Sequence, residues 1–140
     1  MGVCIAVEFL ASLGKGKLMR EKLVTAYHDI AAHEHKLASR LYSGLKKIKG
    51  VTLIGQDFSS TSRTPTVSFT MKGKTPAEVC EQLAVKNICA WDGHFYAIRA
   101  IETLGLLEKG GVTRMGISLY NTEEEIDFVL NVVKDVSSKT

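Results

Sequence analysis

At 140 residues and 45% hydrophobic, the chain can bury one core but not two, so a single domain over residues 1–140 is expected. Its 18 basic and 15 acidic residues are interspersed and leave a net charge of +3, which does not argue for nucleic acid, whose binders usually cluster Lys and Arg on one face. No stretch has the length of a membrane span, and three cysteines (Cys4, Cys80, Cys89) with no C-x-x-C spacing cannot close a disulfide framework, so a reducing cytoplasm is the expected setting.

The opening MGVCIAVEFLASLG has no basic leading segment and carries Glu8 inside its apolar run, so a signal peptide is not expected. Ala6 stands where myristoylation would need Ser or Thr. Residues 3–13 read as a short, nearly all-apolar helix that should be buried against something. Gly14-Lys15-Gly16-Lys17 follows no strand, so it is a hinge and not a phosphate loop. Leu23, Tyr27, Ile30, Leu37, Leu41, Leu45 and Ile48 then recur every three or four residues, predicting a long amphipathic helix that ends at Gly50. Lys46, Lys47 and Lys49 give it a basic last turn that complements the helix dipole. His33 and His35 point to opposite sides of such a helix, and His28 and His35 are separated by ~10 Å of rise, so no metal site is expected on this solvated face.

Residues 51–54 and 66–71 read as strands joined by the polar loop 56–64, with Val67, Phe69 and Met71 on one face. Thr75, Pro76 and Glu78 form a helix start of the capping-box type, and that helix should run to about Lys86. A brief strand over 88–91, a turn at Asp92-Gly93 and a helix over 95–104 follow. Along 112–119, Met115, Ile117 and Leu119 share one face of a strand, and Arg114, Gly116 and Ser118 share the other. Thr122 and Glu125 form a second capping box, and Ile126, Val129, Leu130 and Val133 stripe the last helix, whose tail 137–140 should fray. The order predicts an α+β fold: a small, mostly antiparallel sheet covered on one face by helices.

Neither Cys80 in its helix nor Cys89 in its apolar strand reads as a nucleophile, because burial raises a thiol pKa. Two features invite a binding role. Trp91-Asp92-Gly93-His94-Phe95-Tyr96 is an aromatic-rich turn that either presents side chains to a cleft or anchors a core. Arg114, on the polar face of its strand, either grips a carboxylate with two parallel hydrogen bonds or pairs with a surface glutamate.

The segments RTPTVSFT (63–70), WDGHFYA (91–97) and GGVTRMGISLYNTEEEID (110–127) resemble, in order and spacing, the C-terminal small domain of cysteine-desulfurase-like class V aminotransferases, the pyridoxal-phosphate (PLP) enzymes of fold-type I. The resemblance implies that Arg114 binds a substrate α-carboxylate, with Trp91, His94 and Tyr96 beside it. It places Tyr96 where a desulfurase carries its persulfide cysteine, and Trp91 where an arginine is expected just before that loop. A phenol cannot take up sulfur as a thiolate does, so classical desulfurase chemistry is not implied. The resemblance further implies that the cofactor lysine and its partners belong to a large domain that is not in this chain, so that no PLP is held by these residues alone. Residues 1–13 would then join or pack on that large domain, and the apolar surface left without it favours a homo-oligomer. His35-Lys36 superficially matches the family's cofactor lysine, but its place on an open helix makes the match a chance one. An amino acid is the implied substrate. The alternative from the residues alone is a stand-alone module that binds a small carboxylate or a protein partner.

Overall fold

The computed structural model describes residues 2–60 and 63–139. Elements follow in the predicted order: α1 (Gly2–Ser12), α2 (Met19–Leu45), β1 (Val51–Ile54), β2 (Thr66–Met71), α3 (Pro76–Ala84), β3 (Trp91–Gly93), α4 (Ile98–Thr103), β4 (Val112–Gly116) and α5 (Glu123–Ser138), with one 3-10 turn at Leu107–Lys109. The four strands form one sheet in the order β1-β2-β4-β3, and every pairing is antiparallel.

Strand alternation decides which side of the sheet is dry. Val67, Phe69 and Met71 of β2 and Met115 of β4 are buried beneath α2, α3 and α5, which contribute Leu37, Leu41, Leu45, Val79, Leu83, Ile126 and Val133 to the same core. Burying each such side chain is worth roughly 2 kcal/mol, so this face fixes the register. Both capping boxes form as the sequence predicts. Thr75 Oγ1 accepts from Glu78 N and Thr122 Oγ1 from Glu125 N, while each glutamate accepts from the backbone N–H of its own cap residue. Arg40 holds Asp127 through two 2.8 Å bonds and Lys36 holds Glu123 at 2.5 Å, which ties α2 to the start of α5.

Several boundaries move. The strand expected over 88–91 starts only at Trp91, so Asp92-Gly93 lies in β3 and not in a turn. The helix expected over 95–104 starts at Ile98, because Phe95 and Tyr96 adopt φ of 53° and 60°, which no α-helix admits. β4 ends at Gly116, not Leu119; α2 ends at Leu45, with Lys47 and Lys49 beyond it; α5 stays helical to Ser138. Thr140, at the end of the expected frayed tail, and Thr61 and Ser62 in the 56–64 loop lie outside the described residues.

Three environments also differ. The first helix buries only Ala11, and Val3, Ile5, Val7 and Phe9 stay exposed, since α2 covers one narrow stripe of it. Its hinge is fastened: Lys15 N donates to Thr25 Oγ1, and Lys17 N and Leu18 N donate to the Glu21 carboxylate. Cys89 is exposed in the connection before β3, not buried in a strand. Of the helix-borne histidines, His28 and His33 are exposed, but His35 is half-buried and packs edge-on against Phe58.

Candidate functional site

The uncovered face of the sheet carries a row that the register sets out directly: Ile54 pairs with Ser68, Ser68 with Arg114, and Arg114 with Trp91. Side chains of paired residues stand on the same face, so Arg114 projects from the open side with Trp91 next to it at the sheet edge. The chain leaves β3 through Gly93, whose φ is 118°. Opposite it, Gly111 has φ 89°, and a Cβ there would run into the Gly93 backbone. Only glycine permits this approach.

Next, Phe95 and Tyr96 enter the left-handed region, which costs a non-glycine residue about 1 kcal/mol or more. Ala97 N closes the turn onto His94 O at 2.8 Å. The result is that the Phe95 ring lies under the Arg114 guanidinium, 3.6 Å from Cζ to centroid. A stacked guanidinium keeps the N–H groups at its edge free.

Trp91, Asp92, Gly93, His94, Phe95, Tyr96 and Arg114 enclose an open cleft of about 570 Å3. All four residues expected from the sequence, Trp91, His94, Tyr96 and Arg114, therefore meet in one place. Trp91 is 73% exposed and Tyr96 99%. The core-anchor alternative for these rings does not hold, and neither does a glutamate partner for Arg114, since no ion pair to it is present among the described residues. Sequence reasoning missed Phe95 as a site residue. The signal available, an aromatic two residues after Gly93, was absorbed into a supposed helix.

Asp92 pairs with Thr113 and so turns to the helix-covered side, away from Arg114. Its charge is felt there by Cys80, whose thiol is pushed up to about 11, chiefly by burial and then by Asp92. A larger cleft of about 940 Å3, lined by Lys47, Lys49, Lys72 and Lys134, shares no residue with this one. It sits at the carbonyl ends of α2 and α5, whose negative dipole ends those lysines complement.

Residues 17–129 match the family model described as aminotransferase class-V. The chain belongs to that family. It is 32% identical over 126 residues to a probable cysteine desulfurase of Mycobacterium leprae, covering 90% of this chain and 20% of that protein. It is 36% identical over 103 residues to an aminotransferase-like protein of Gibberella zeae, covering 72% of this chain and 26% of that one. Among solved structures, the apo cysteine desulfurase of Thermococcus onnurineus superposes with a TM-score of 0.75 at 26% identity, covering 87% of this chain and 29% of that one. The chain thus spans about a fifth to a third of the length of these class V relatives.

The family is PLP-dependent. The residues of the Arg114 cleft do not fit that cofactor by themselves, because the lining contains no lysine to form its Schiff base. Lys36, beside His35, is occupied on the helix surface by Glu123.

Proposed function

We propose that this chain acts as the substrate-gripping small domain of a PLP-dependent, cysteine-desulfurase-like enzyme of the class V aminotransferase family. Arg114 holds the carboxylate of an amino-acid substrate, and Trp91, His94 and Tyr96 surround the rest of it. One observation carries the reading: a guanidinium seated over the Phe95 ring in the lining of an open cleft, with no carboxylate paired to it among the described residues. A carboxylate arriving at that edge completes two parallel charge-assisted hydrogen bonds.

Cofactor and proton-moving groups come, in this reading, from a large domain that meets the open side of the sheet, and the 140 residues alone are catalytically silent. Tyr96 in place of a persulfide cysteine argues for chemistry other than sulfur transfer to that position. A reducing, cytoplasmic setting accords with free Cys4, Cys80 and Cys89. The second reading, a self-standing carboxylate-binding module, draws on the cleft's own make-up, a guanidinium with aromatic rings around it.

Calorimetric titration of the chain with amino acids is the test. Binding is expected to fall at least about tenfold in Arg114→Gln, which loses the charged fork. Binding unchanged by that substitution would sink the assignment. Mixing the chain with PLP is expected to give no stable aldimine absorption; a band abolished by replacing one particular lysine would show that this chain anchors the cofactor after all.

A further inference from the structure

We infer that the Arg114 cleft selects carboxylates that carry an aromatic or similarly flat apolar group, over short aliphatic ones. This rests on the reading of Arg114 as a carboxylate grip and adds what the ligand bears at its other end. Of the seven residues that line the cleft, three are aromatic: Trp91, Phe95 and Tyr96.

Their arrangement divides the labour. Phe95 covers one face of the guanidinium and fixes its plane. Trp91, directly across the strand pair from Arg114, and Tyr96, past the turn, leave large ring surfaces in water on the same open side. A carboxylate on the guanidinium edge therefore brings whatever it is attached to alongside those two rings. A flat apolar group there removes its own surface and theirs from water together, and stacked or edge-on rings add to that gain. A methyl or hydroxymethyl group is too small to reach both.

The backbone supports the same assignment. Two successive non-glycine residues, Phe95 and Tyr96, sit at positive φ, where glycine or asparagine would be at ease. Such strain persists where side-chain placement matters, and here it places one ring under Arg114 and one at the mouth of the cleft. Asp92, the one acid among the residues that line the cleft, pairs with Thr113 and directs its carboxylate toward Cys80 and the helix-covered side.

Trp91 is the only tryptophan of the chain, so its fluorescence reports on this cleft alone. Titrations of the 140-residue chain with 3-phenylpropionate, propionate and 3-phenyl-1-propanol, followed by Trp91 emission and by calorimetry, separate the two ends of the ligand. Phenylpropionate is expected to bind about tenfold or more tightly than either of the others. Arg114→Gln should erase its advantage over the alcohol, and Tyr96→Ser its advantage over propionate. The Tyr96 side chain is almost fully exposed, so its removal leaves folding intact. Equal affinity for propionate and phenylpropionate would overturn the aromatic preference and leave the carboxylate grip standing. No response to either carboxylate would overturn both, and equal binding of the alcohol and the acid would overturn the grip and with it the selection of carboxylates.

Discussion

Environment divides the three cysteines. Cys80 is partly buried on α3 and lies near the Asp92 charge, and both effects disfavour its thiolate, which puts its pKa at about 11. At pH 8 roughly one Cys80 in a thousand is then ionised. Cys4 and Cys89 are exposed. Alkylation with iodoacetamide at pH 8, followed by peptide mass mapping, is therefore expected to label Cys4 and Cys89 first and Cys80 at least tenfold more slowly. Labelling of Cys80 at the rate of Cys89 would contradict the burial assigned to it. Residue by residue, the sequence showed what strand alternation and capping chemistry can show. Arg114 was legible because its strand neighbours Thr113 and Met115 turn to the core. Phe95 was not, since nothing in the alternation of apolar and polar residues announces a left-handed backbone pair, and a stretch such as Phe-Tyr-Ala-Ile reads equally well as the first turn of a helix.

Five acids at or near helix starts are held in their charged form. Backbone N–H groups of Leu18 and Lys17 lower the pKa of Glu21, those of Thr75 lower Glu78, and Asn121 with Thr122 lower Glu125. Lys36 does the same for Glu123, and Arg40 for Asp127. All are depressed below their ordinary values, so their contribution to stability is complete above about pH 4.5 and is lost as pH falls through the depressed range. The thermal midpoint followed by circular dichroism is therefore expected to decline on acidification below about pH 4.5 through these groups. Glu78→Gln keeps the geometry of the capping box but removes its titration, so the acid decline should be shallower than in the parent. An identical acid slope would remove Glu78 from the account. High salt should weaken the exposed Arg40–Asp127 and Lys36–Glu123 pairs more than the caps, because pairs in water are screened. The order of the α-helices and strands was readable from periodicity, caps and glycines, and both capping boxes marked where their helices begin, though α3 ends at Ala84 and not near Lys86. Boundaries failed where tertiary contact overrode local preference. β3 forms only where β4 lies alongside, from Trp91 to Gly93, so the apolar run at 88–90 remains a connection.

At the scale of the whole molecule, the sheet, α2, α3 and α5 close one core, and α1 stands outside it. The core cluster draws no member from α1, whose sole buried residue is Ala11. A nearly unbroken apolar run could locate α1 but could not say what covers it, because a helix apolar on every side has no preferred face. Val3 and Val7 on one side of α1 and Ile5 and Phe9 on the other leave exposed apolar surface at one end of the chain, and Leu18, just before α2, adds to it with Val24 and Tyr27 of α2. Exposed apolar surface of this kind favours association, and for the purified chain the expected partner surface is a second copy's. Two consequences separate cleanly. Deleting residues 2–13 removes no member of the main core cluster and only one buried side chain, Ala11, so the thermal midpoint should move by no more than about 5 °C. The same deletion removes the α1 share of that surface, so concentration-dependent association in sedimentation, expected for the 140-residue chain, should weaken markedly in the shortened one. A large loss of stability would mean that α1 belongs to the core after all, and unaltered association would place the contact on the open face of the sheet, around Arg114.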